Sequence, residues 1–129
     1  MSTFEGARAL DEIARRWALH DGRILSIAAR AAEHCGVLLE LVCSPRPESP
    51  VAELRIRFTG VTRIEFRWSE EQAFYFVPGY KALVQPSGMA YLSLDPYDDT
   101  VAAIDPRDAN VIEARGILAE FVMKPSLAG

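Results

Sequence analysis

The chain has 129 residues, 50% hydrophobic and 25% charged, with a formal net charge of -4. That balance fits one globular domain over residues 1–129 and excludes a disordered chain. The negative charge argues against nucleic acid as the main ligand, which wants a basic field. No apolar run approaches the roughly 20 residues that span a bilayer, so no membrane role is expected. The N-terminus, MSTFEGARALDE, mixes acids and bases without an apolar centre, unlike a secretory leader. A cytoplasmic location is therefore expected, with Cys35 and Cys43 as free thiols.

Residues 2–19 read as an amphipathic helix: Phe4, Ala7, Leu10, Ile13 or Ala14, and Trp17 recur at helical spacing. Ser2 and Glu5 have the spacing of a capping box. Gly22 is placed to take the left-handed conformation that ends a helix. Ile24 to Ala29 reads as a strand. For residues 28–36 a helix ending at Gly36 stays open. Val37, Leu39, Leu41 and Cys43 alternate as one face of the next strand, and the three prolines of residues 44–50 require a loop.

The strongest alternation follows. Leu54, Ile56 and Phe58 alternate with Arg55, Arg57 and Thr59; beyond Gly60, Ile64, Phe66 and Trp68 alternate with Arg63, Glu65 and Arg67. This predicts a hairpin turning at Thr59-Gly60-Val61, with Ile56 opposite Ile64 and Arg57 opposite Arg63. AFYFV reads as a weak strand, PGYKALVQPSG as turns, and Met89 to Leu94 as a strand. Residues 111–123 fit either a helix or a strand bulged at Gly116. The strand is favoured because glycine costs a helix roughly 1 kcal/mol against alanine. The fold expected is α+β: an N-terminal amphipathic helix packed on an antiparallel sheet of about six strands.

Catalytic constellations are weak. His20-Asp21 could open a metal-dependent phosphohydrolase site, but the only other histidine is His34. A zinc site would need His20, His34, Cys35 and Cys43 together, and they lack ligand spacing. No nucleophile elbow or phosphate loop is present. No metal, cofactor or catalytic residue is therefore expected, and Trp17, His20, Asp21 and Gly22 read as a structural joint between helix and sheet. Asp95, Asp98, Asp99, Asp105 and Asp108 crowd 14 residues with Arg107 as their only cation. They lack a calcium-loop frame and read as an acidic surface for a basic protein partner, or as solvated turns. Arg55, Arg57, Arg63 and Arg67 form a basic strip without aromatics on its face, so it reads as a solvated sheet face, with a protein interface as the alternative, rather than as a nucleic-acid track. Tyr75, Tyr80, Tyr91 and Tyr97 fit an interface or a pocket equally well.

The order WALHDGRILSI, LLELV, LRIRFTGVTRIEF, over roughly residues 17–68, resembles a group of small bacterial domains. These open with Trp/Phe-Xaa-Xaa-His-Asp and continue into an antiparallel sheet. Some of them resemble immunity proteins of polymorphic or contact-dependent toxin systems. The resemblance implies a non-enzymatic protein-binding domain that neutralises a basic toxin through a complementary surface, here the Asp cluster. A structural or assembly subunit acting as a homodimer, and a small-molecule pocket protein, are the alternatives.

Overall fold

The computed structural model describes residues 2–71 and 75–125, without the side chain of Cys35. In chain order it contains β1 (Ser2–Glu5), α1 (Gly6–Arg15), β2 (Gly22–Ala31), a short 3-10 turn (Glu33–Cys35), β3 (Val37–Ser44), β4 (Val51–Glu65), β5 (Phe76–Val77), β6 (Lys81–Val84), β7 (Ala90–Asp95) and β8 (Ala109–Met123). The strands form one sheet in the order β5-β2-β3-β4-β8-β7-β6, with β1 also on β8, and every pairing is antiparallel. The sheet curls into a half-barrel with one short helix. The α+β expectation holds at that level, with eight strands instead of about six.

The N-terminal reading needs correction. Ser2 to Glu5 pair with Phe121 to Leu118 as a strand, and Phe4 meets Phe121 edge-on at 5.8 Å. A β8 edge and an aromatic contact outweigh a weak local helix signal. The capping box does not form: Glu5 is the N-cap, extended and without a side-chain cap bond. Gly6, at φ +61, makes the sharp step from strand to helix. The helix turns Ala9 and Ile13 into the core and ends at Arg15, so His20 lies beyond its last turn.

The joint is built differently from expectation. Trp17 (φ +50) and Asp21 (φ +58) are the left-handed residues, not Gly22. Trp17 is 54% exposed with the Arg46 guanidinium over its ring, while Ala18 and Leu19 are buried. Leu19, not Trp17, therefore pins the joint to the sheet. Gly22 is needed for space, since a Cβ there would stand 2.9 Å from the Leu19 carbonyl oxygen.

Residues 28–31 continue β2 rather than entering a helix. β3 follows the predicted alternation, with Leu39, Leu41 and Cys43 fully buried. The predicted hairpin at Gly60 does not exist. Residues 51–65 are one strand, paired with β3 on one side and β8 on the other. Gly60 (φ +57) lies within it. Inward positions run Leu54, Ile56, Phe58, then Val61, opposite Phe121, Ala119, Ile117, then Ala114. Both strands shift phase together at Gly60 and Gly116, and a β4 bulge between Val61 and Arg63 follows. A Cβ on Gly116 would meet the Thr59 hydroxyl. β8 thus resolves the 111–123 ambiguity as a strand, with Ile112, Ala114, Ile117, Ala119 and Phe121 buried and the bulge on its partner. The turn-rich PGYKALVQPSG hides β6. Of AFYFV, Phe76 and Val77 form β5, and residues 72–74 lie outside those described.

Cys43 sits in this core as a free thiol, and burial pushes its pKa up to about 12. A Cys35→Ser variant, which leaves Cys43 as the single thiol, should not react with Ellman's reagent at about pH 8. Full reaction is expected on adding denaturant. Fast labelling of the native protein would contradict the packing.

Candidate functional site

β7 is buried on both faces, from Ala90 to Leu94. Ala90 and Leu92 pair with Ala114 and Ile112 on the inner side. Tyr91 and Ser93 point the other way, as does Lys81, opposite Ser93 on β6. A lysine buried beneath a loop on this outer face needs a counter-charge, and Asp108 supplies it. The Lys81 ammonium donates to both Asp108 oxygens, at 3.1 and 3.0 Å, and to the Ala103 carbonyl at 2.9 Å. The Tyr91 hydroxyl donates to Asp108 at 2.7 Å, and the backbone N–H groups of Tyr97 and Asp105 donate at 3.0 and 3.2 Å. Among the described residues no buried polar side-chain atom lacks a partner.

One carboxylate thus accepts bonds from both ends of the connection between β7 and β8. Burial pushes the Asp108 carboxyl up, but the Tyr91 hydroxyl, the Tyr97 N–H, the Lys81 ammonium and the Asp105 N–H outweigh it, so the net shift is down. Burial, then the bond to Asp108, pushes Tyr91 up. The result is a long loop tied from beneath, with a fixed outer surface.

The five aspartates therefore have different roles. Asp108 is buried and leaves the proposed acidic surface: its charge is spent on Lys81. Asp105 is paired with Arg107 at 2.8 Å; the Arg107 guanidinium, then its backbone N–H, hold the Asp105 carboxyl down at about 2. Asp95, Asp98 and Asp99 are exposed and make no ion pair with another described residue. Asp98 accepts the Thr100 hydroxyl at 2.6 Å and the Thr100 N–H at 3.0 Å, which hold its carboxyl low. Gly79 leaves room for the Asp99 carboxylate. With Pro78, Pro96 and Tyr97, these residues line a shallow depression of 310 Å³. Tyr97 and Val101 are exposed at this end of the loop and Ile104 further along it, and Arg107 stacks 3.6 Å from the Tyr97 ring centre.

In the basic strip only the expected facing of Arg57 and Arg63 needs correction. Arg55 is bonded to Glu53 at 2.8 Å. Arg57 faces Glu40 at 3.1 Å and Glu120 at 3.5 Å, not Arg63. Arg63 pairs with Glu113 at 2.9 Å and with Glu65. Arg67 is exposed, and its backbone N–H donates to Asn110. Carboxylates interleave the arginines, so the strip is a mixed-charge sheet face.

At the joint, Asp21 lies 3.5 Å from both the His20 ring and the Arg46 guanidinium, all partly exposed. Among the described residues no group of three or more His, Cys, Asp or Glu side chains could hold a metal ion. The tyrosines do not share a cavity: Tyr91 is buried in the Asp108 network, whereas Tyr75 and Tyr97 are exposed. Among the described residues no helix is long and apolar enough to cross a membrane.

No protein-family model, curated protein or solved structure matches this chain.

Sequence reasoning missed Lys81 and offered Tyr91 only as an interface or pocket residue, yet these two side chains make Asp108 internal. The available signal was Lys81 within the apolar run KALV, and Tyr91 out of phase with Leu92 and Leu94. Neither has a meaning until β6, β7 and the loop are superposed.

Proposed function

We propose that this is a non-enzymatic protein-binding domain whose recognition surface is the loop between β7 and β8, presented to a basic partner. The carrying observation is the anchoring of that loop: Asp108 holds it from below while Asp95, Asp98 and Asp99 remain exposed above. Pre-ordering a loop lowers the entropy lost on association, and exposed carboxylates speed encounter with a cationic surface. Tyr97, Val101 and Ile104 offer apolar contact along the same loop. The resemblance to immunity proteins makes a toxin domain the partner of choice, neutralised in the cytoplasm by occlusion.

The reading predicts that a gene adjacent to this one encodes a basic toxin domain, and the test is association with that domain and rescue of cells expressing it. Asp95→Asn/Asp98→Asn/Asp99→Asn should slow association by about tenfold or more and flatten its salt dependence. Asp105→Asn, which removes a carboxylate already paired with Arg107, should do much less. Undiminished binding by the triple variant would sink this surface as the site.

A further inference from the structure

β2 has an edge that the rest of the sheet leaves open. β5 pairs with it only at Gly22 and Arg23, and the Ile24 N–H donates outward to the Tyr75 carbonyl. Beyond the bulge between Ile24 and Ser26, no described strand lies on that side. Which groups face outward follows from the hairpin closing bond. The Ala32 N–H donates to the Gly36 carbonyl, so in this register Arg30, Ala28 and Ser26 bond toward β3. Ile27, Ala29 and Ala31 turn their N–H and C=O groups away. Residues 28–31 are exposed. Residues 28–31 hold no proline or lysine, and Arg30 is the one large or charged side chain among three alanines; the bulge lies before them, between Ile24 and Ser26.

We infer that this edge pairs with the same edge of a second copy, antiparallel about a two-fold axis at Ala29, to form a homodimer with a continuous sheet. With the axis at Ala29, an outward-facing residue, Ala29 forms a hydrogen-bonded pair with its copy and opposed residues share a face: Ile27 falls opposite the second copy's Ala31, and Ala28 opposite its Arg30. An axis at Ala28 or at Arg30 would pass through a non-bonded pair instead, and would set Arg30 opposite Ser26 or opposite the copy's Arg30. Side-chain chemistry supports the same register. On the outer face Ala28 is flanked on β3 by Glu40. The second copy's Arg30 therefore lies two strands, about 10 Å, from Glu40, with only the Ala28 methyl between them. Both side chains are long enough to meet above it. The row then reads Arg30 of the copy, Ala28, Glu40, Arg57, with the last two already bonded. The two-fold makes this contact twice. An unrelated peptide strand would satisfy the backbone but not this charge match.

Amide hydrogen exchange reads the proposal directly. The Ala28 and Arg30 amides should be protected at every concentration, as hairpin bonds. The Ile27, Ala29 and Ala31 amides should gain protection as concentration rises toward about 1 mM, the weak end of specific association. Sedimentation should show a dimer over the same range. Ala29→Pro removes one outward N–H and no hairpin bond, and should raise the dimer Kd by tenfold or more. Ala28→Arg should do the same by opposing Arg30, and Ala28→Arg/Arg30→Glu should restore the dimer. A monomer at all concentrations, or a dimer indifferent to both Ala29→Pro and the charge swap, would overturn it. Because the exchange pattern is read on the unmodified chain, a variant that fails to fold does not remove the test.

Discussion

Asp108→Asn should lower the stability of this protein by about 3–5 kcal/mol at neutral pH, the usual cost of breaking a buried ion pair from one side. Lys81 would keep its charge beneath the loop without a counter-ion, and the Tyr97 and Asp105 amides would lose their carboxylate. Lys81→Met/Asp108→Asn should recover part of the loss, because the stranded charge goes with the lysine. The effect has a pH signature. The folded Asp108 carboxyl titrates below its ordinary value. Its share of stability is therefore complete above the unfolded value of about 3.9 and disappears as pH falls through the lower folded one. Urea titrations from pH 7 down to about 2.5 should converge for the two proteins at the acid end. A neutral-pH loss under about 1 kcal/mol would mean that the loop is not anchored there. In that case the rigid recognition surface loses its support too.

Phe58→Ala should cost about 3–5 kcal/mol with little change in the urea m-value. Phe58 is fully buried between Leu39 of β3 and Ile117 of β8, also buried. Strands bonded on both sides cannot move in to fill the space left by the ring. The phase shift just beyond, at Gly60, holds the local backbone further. A loss under about 1.5 kcal/mol would show that β4 can slide or collapse at this point. A single strand, rather than a two-stranded hairpin, would then be in doubt.

These two residues mark what can be read locally. Phe58 is legible because its burial follows from a period of two, which every strand obeys whichever neighbour it takes. The same rule located β3 and fits the inward residues of β8, whereas β2 and β7 were legible only as short apolar runs. Asp108 is not legible, because five aspartates in a polar stretch look alike to any local rule. Only the approach of Lys81 and Tyr91 from β6 and β7 separates the buried one from the exposed three. The arginines of β4 likewise read as a strip until Glu40, Glu113 and Glu120 arrive from neighbouring strands. Residues 2–5 read as helix because their alternative, the β8 edge, lies more than a hundred residues away.

The sequence by itself determined an acidic, well-cored α+β chain, the faces of its central strands, the proline loop, and the absence of any recognisable catalytic motif. Tertiary structure alone decided the pairing partners: β4 continues through Gly60 because fifteen residues of β8 offer it a longer ladder than a three-residue turn could. It also decided which charges are structural and which are displayed, since pairing of charges depends on distances across strands that no sequence spacing encodes. The physical reason is common to both. Side-chain alternation is a property of one strand, whereas register, burial of charge and open edges are properties of its neighbours.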